Sequence, residues 1–155
     1  MKPVYFVDFE ASGIAPDSYP IEIAIVSADS KYQALIKPAY YWQHWSYDAQ
    51  DMHGISREDL LTGGRDAFDL ADDLNTRFAG ASVCSDSNLD CFWLDTLYEA
   101  AGIEPTFTVS PLGMFMPEDD VAGVCKLMSP RKVHRALPDA LDLMNAAMAY
   151  FSSIK

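Results

Sequence analysis

Residues 4–10 read VYFVDFE and run into Ala11-Ser12-Gly13. The β-branched and aromatic residues of this stretch make it a strand buried on both faces, and therefore central in a sheet. Two acids, Asp8 and Glu10, interrupt the apolar run at its C-terminal end. Side chains two apart on a strand point the same way, so both carboxylates share one face and Phe9 turns to the other, into the core. Neighbouring carboxylates in a buried strand repel each other and lose hydration. Either the strand surfaces at Asp8 and both acids are hydrated, or a cation compensates them.

Working outward, a loop with Pro16, Asp17, Ser18 and Pro20 leads to IEIAIVSA, residues 21–28, whose apolar alternation predicts a second strand. YQALIK, residues 32–37, is its hairpin partner across Asp29-Ser30-Lys31. From Pro38 to Gln50 the aromatic-rich PAYYWQHWSYDAQ has no clear period and reads as a loop with a short helix. Ser56, with Asp59 three residues on, caps a short helix ending at Leu61. Phe68, Leu70, Ala71, Leu74 and Phe78 share one helical face opposite Asp66, Asp69, Asp72 and Asp73, and Gly80 ends that helix. Residues 81–85 (ASVCS) form a strand, 89–101 a helix stopped by Gly102, and 107–110 a last short strand. Helices over 121–128 and 138–151 follow, the latter with Pro138 in its first turn. Three strands followed by helices alternating with two more strands describe one α/β domain, 1–155, with a mixed sheet.

The chain's 155 residues suit one core, and a hydrophobic content of 50% excludes intrinsic disorder. Eleven Lys and Arg against 23 Asp and Glu leave a formal charge of -12. That balance excludes non-specific adhesion to DNA, RNA or anionic membranes, so a polyanionic partner must be held by something other than net charge. Cys84, Cys91 and Cys125 form no CxxC pair and are odd in number, which fits reduced thiols in a cytoplasmic protein. No secretory signal and no apolar run of about 20 residues is present, so no membrane partner is expected.

More acids stand at element ends. Asp86 and Asp90 follow the strand 81–85, with Asp90 in the first turn of the next helix, and HRALPD places His134 five residues before Asp139. Taken singly, Asp90 and Asp139 read as acids favoured by a helix N-terminus, and His134 as a surface histidine. Together, Asp8, Glu10, Asp90 and Asp139 fall where one sheet gathers them. Four carboxylates around a point are a poor structural device and a good site for two hard cations, Mg²⁺ or Mn²⁺. Ions there would activate a water and stabilise the leaving oxygen in phosphodiester hydrolysis, with His134 taking the water's proton. They would also make the local field positive on an acidic protein.

These residues resemble the histidine branch of the DEDD superfamily of 3′→5′ exonucleases. VDFEASG with PIEIAIV is similar to that family's first motif, SDSNLD to its second, and HRALPD to its third. MHGISREDL, residues 52–60, is similar to the His-Gly-Ile segment of many members. In the second motif Ser85 and Asp86 stand where the family has a His-Asn pair. The resemblance implies a ribonuclease H-like fold, a five-stranded mixed sheet with its second strand antiparallel and flanking helices. It implies that Asp8 bridges two metals, that Glu10 and Asp139 complete the tighter one, that Asp90 holds the second, and that His134 is the general base. Ala11 and Ser12 stand where members contact the terminal nucleotide, with Ser12 a candidate for the 3′-hydroxyl. The implied activity releases nucleoside 5′-monophosphates from single-stranded 3′ ends, and several relatives are homodimers.

Arg131, Lys132 and Arg135, with Lys126, gather around His134 and are candidates for binding upstream phosphates. Tyr40, Tyr41, Trp42, Trp45 and Tyr47 either stack on bases or pack over the sheet edge. His44 and His53 read as structural. Two other readings remain: a nuclease of very short oligonucleotides, and a non-catalytic module that binds a protein through the acidic helix face of residues 66–73.

Overall fold

In a computed structural model, which describes residues 2–154, the chain forms five strands: β1 (Tyr5–Ala11), β2 (Pro20–Val26), β3 (Lys31–Leu35), β4 (Ser82–Ser85) and β5 (Thr108–Pro111). They make one mixed sheet in the order β3-β2-β1-β4-β5. The hairpins β1–β2 and β2–β3 are antiparallel, whereas β4 and β5, reached through helical crossovers, run parallel to β1. The strand carrying Asp8 and Glu10 is therefore central, and β2 is antiparallel, as the ribonuclease H-like arrangement requires. Six helices flank the sheet: α1 (Tyr47–His53), α2 (Arg57–Gly63), α3 (Ala67–Arg77), α4 (Leu89–Ala101), α5 (Glu118–Leu127) and α6 (Ala136–Ser153).

Strand alternation divides the core into two layers. Val7 and Phe9 of β1 and Ile21, Ile23 and Ile25 of β2 pack with Leu70, Leu74, Leu94 and Leu97 of α3 and α4. Phe6, Ala24 and Val26 face the other way, against Val124 of α5 and Ala140, Leu143 and Ala147 of α6. Asp8 and Glu10 share the parity of Phe6, so they emerge on the α6 side of the sheet.

Several boundaries differ from the periodicity. The short helix within 38–50 begins only at Tyr47, where the Ser46 side chain accepts the Ala49 N–H, and it runs on to His53. At α2 the expected cap is a reciprocal capping box between Ser56 and Asp59. Helix α5 starts at Glu118 rather than 121, because Pro117 leads into three acids whose charges suit the first turn. Helix α6 starts two residues before Pro138, since a proline anywhere in a first turn removes an N–H that has no helical partner. The aromatic cluster splits: Trp42 is buried and stacked on Tyr19 at 5.1 Å, the Trp45 indole donates to Gln50, and Tyr40, Tyr41 and Tyr47 are exposed. Among the described residues no helix is long and apolar enough to cross a membrane.

Candidate active site

The sheet and helix ends place the acids around the C-terminal end of β1. Asp8, Glu10 and Asp139 each offer a carboxylate oxygen within 4.8 Å of the others, and so do Asp8, Asp86 and Asp90. Asp8 belongs to both groups. Its Oδ2 is buried with no hydrogen-bond partner among the described residues, an orphaned atom that a cation would satisfy. An all-oxygen donor set of this kind fits hard divalent ions.

Each acid is held by local structure. Asp90 is buried in the first turn of α4 and accepts the Ser85 hydroxyl at 2.5 Å. Ser85 also accepts the Ser87 N–H, so this serine fixes the β4–α4 turn as well as the acid. Asp139, buried in α6, accepts the N–H groups of Val133 and His134, both at 3.0 Å. Those two bonds hold His134 at φ 62°, a left-handed conformation that non-glycine residues adopt at a cost.

Burial is the main electrostatic cause throughout. It raises Asp8 well above the ordinary carboxylate range, and the charges of Asp90, Glu10, Asp86 and Asp139 add to it. Glu10 is pushed up to about 8 by burial and then by Asp139 and Glu22. Asp90 is pushed up to about 7 by burial, with the Ser85 hydrogen bond opposing. A cluster that holds protons near neutrality is one that divalent cations would ionise.

Of the residues expected to bind substrate, the structure turns several elsewhere. Ser12 is fully buried; its hydroxyl accepts the Tyr19 N–H at 3.1 Å and lies 3.0 Å from His44 Nδ1, so it is not offered for a 3′-hydroxyl. Arg135 grips the buried Glu22 with two bonds, 3.0 and 2.7 Å, and Lys132 pairs with Asp86 at 3.1 Å. Both cations are part-exposed and engaged by a carboxylate, so a phosphate would have to compete with that partner. Arg131 is exposed, and Ala11 lines a cleft beside the acids.

That cleft, of about 200 Å³, has apolar walls from Phe9, Ile14, Met52, Leu89 and Trp93. Glu10, His53 and His134 are its polar edge. His53 is buried; its Nδ1 accepts the Ile55 N–H at 3.0 Å, which leaves Nε2 as the protonated nitrogen, without a partner among the described residues. Burial lowers its pKa below the ordinary value and keeps the ring neutral. A larger, shallower depression of about 860 Å³ along α3, between Arg65 and Arg77, contains none of these acids.

Sequence reading missed Glu22, Ser85 as the partner of Asp90, and the open edge of His53. Glu22 is a lone acid in a fully buried strand, PIEIAIV, and that burial is the signal that it needs a partner. His53 lies in the His-Gly-Ile segment that the resemblance already singled out.

No protein-family model and no curated protein sequence matches the chain. Solved structures do. Over 99% of its residues the chain is similar to E. coli exonuclease I in a zinc-bound complex with single-stranded DNA, with a TM-score of 0.70 and 15% identity. A complex of the same enzyme with a dA16 oligonucleotide matches over 97%, also at 0.70 and 15%, and a product-bound exonuclease I over 100%, at 0.65 and 15%. The chain spans only 41%, 40% and 44% of those chains, respectively. The ribonuclease H-like exonuclease fold, implied by the likeness to the histidine-branch DEDD enzymes, is the fold of this chain, shared along its length with exonuclease I.

Proposed function

We propose that the chain is a metal-dependent 3′→5′ exonuclease that hydrolyses the terminal phosphodiester bond of single-stranded DNA or RNA and releases nucleoside 5′-monophosphates. The observation that carries this reading is the pair of carboxylate groups joined at Asp8 and opening beside an apolar cleft. Asp8, Glu10 and Asp139 would hold one divalent ion, and Asp8 with Asp90 a second. Bound there, Mg²⁺ or Mn²⁺ would polarise a water and offset charge on the scissile phosphate. His134 takes the water's proton on a ring nitrogen; its backbone is tied to Asp139, so the base and a metal ligand stay in register. The cleft walls seat the terminal base, and His53 Nε2–H donates to it or to its sugar. Exposed Arg131, three residues before His134 in the sequence, would meet an upstream phosphate. The single strands seen on E. coli exonuclease I support a strand end as substrate.

A second reading, a nuclease of very short oligonucleotides, is favoured by the commitment of Lys132 to Asp86 and of Arg135 to Glu22. Those bonds leave little basic surface to track a long strand. Mass spectrometry of the products formed from short single-stranded DNA or RNA with Mg²⁺ tests the chemistry. Nucleoside 5′-monophosphates are expected, whereas 3′-monophosphates or internal fragments would overturn it.

A further inference from the structure

Where the resembling family has asparagine in its second motif, this chain has Asp86, and the added carboxylate is not left bare. Lys132 Nζ lies 3.1 Å from Asp86 Oδ2 and 3.8 Å from Asp142 Oδ2. A cation thus already sits on Asp86, one member of the group formed by Asp8, Asp86 and Asp90. The buried, unpartnered Oδ2 of Asp8 is the independent sign that the group is built for a charge that lysine does not fully supply. We propose that Lys132 is a tethered cation competing with the second divalent ion, and that Asp86 becomes a direct ligand of that ion when Lys132 swings to Asp142. The proposal rests on reading the carboxylates as a divalent-cation site.

The exchange follows from charge and reach. An ammonium and a divalent ion a few ångströms apart repel, so the two occupy Asp86 alternately rather than together. Asp142 lies one turn beyond Asp139 on α6, and it already draws Lys132. Leaving Asp86 therefore costs the lysine one of two partners, not both. Lys132 is one-third exposed and Asp86 one-fifth, which gives the side chain room to move and the ion a route in. Lys132 makes its ion pairs with Asp86 and Asp142 and reaches Asp139 only through its longer-range field, so the competition falls mainly on the second ion. The second ion's affinity is then a property of residue 132 and not of the carboxylates alone.

Calorimetric titration of the full chain with Mn²⁺, in the absence of nucleic acid, reads this directly. Wild type should bind two ions of unequal affinity. Lys132→Met should tighten the weaker ion about tenfold and Asp86→Asn weaken the same ion about tenfold, the tighter ion shifting about twofold or less in both. Lys126→Met, on the exposed face of α5, removes the same charge and should change neither. Tightening cannot arise from misfolding, so Lys132→Met keeps the test decisive if Asp86→Asn folds poorly. Equal effects of Lys126→Met and Lys132→Met, no tightening in Lys132→Met, or a single wild-type ion would overturn the proposal. Metal-dependent shortening of strands with unshifted Mn²⁺ affinities sinks this inference alone; the expected affinities without any shortening sink only the nuclease reading.

Discussion

His134 occupies a left-handed backbone position, φ 62°, because Asp139 accepts its N–H and that of Val133. Spacing in the sequence placed Asp139 five residues after His134, and the structure shows that this spacing is a closed hydrogen-bonded turn. If His134 is the general base, His134→Ala should lower kcat about 10²–10⁴-fold while Mn²⁺ binding stays unchanged. Loss of ion binding in that variant would instead mark the residue as structural. Asp8, Glu10, Asp90 and Asp139 were legible because strand parity and helix starts are local patterns. Ser12 was not, since its inward turn depends on Tyr19 and His44, brought to it by the fold. Nor were the partners of Lys132 and Arg135, which lie 46 and 113 positions away in the chain.

Elements meet at the site through an ion pair between buried Glu22 and part-exposed Arg135. Helix α6 begins where Arg135 and the Ala136 N–H both bond Glu22 of β2, whose register partner on β1 is Glu10. This junction ties the helix bearing Asp139 to the strand beside the other acids. Arg135→Ala leaves Glu22 buried without its cation. The 42% exposure of the Arg135 side chain discounts the cost to about 2 kcal/mol in urea unfolding, below the figure for a fully enclosed pair. A loss under about 0.5 kcal/mol would show that water replaces the arginine freely. Element order, the central strand and the α2 cap were readable from periodicity and capping chemistry. The starts of α5 and α6 were not, because propensity says where a helix is allowed and the preceding chain decides where it begins.

Across the whole molecule, a charge of -12 and a cluster of raised carboxyls act together. Glu10 shows the sign of the effect. Its carboxyl sits near 4.5 unfolded and about 8 folded, so between these values the folded state holds a proton that the unfolded chain has lost. Its contribution to stability is complete below about pH 4.5 and is lost as pH rises through about 8. The metal-free protein should therefore melt at a lower temperature at pH 8 than at pH 5.5, and Mg²⁺ should recover more of the difference at pH 8. A melting temperature indifferent to pH and to Mg²⁺ would count against the buried acids as a cation site. Net charge is an obstacle to holding long strands, whereas two divalent ions, if bound as proposed, would reverse the field at the carboxylates.

The central claim is tested most directly by following a 5′-labelled single strand, as DNA and as RNA, with wild type and Asp8→Ala in Mg²⁺, Mn²⁺ or EDTA. Wild type should shorten the strand stepwise from the 3′ end with either ion, and no shortening is expected with EDTA or with Asp8→Ala. Equal shortening by Asp8→Ala, or none by wild type with either ion, would contradict it.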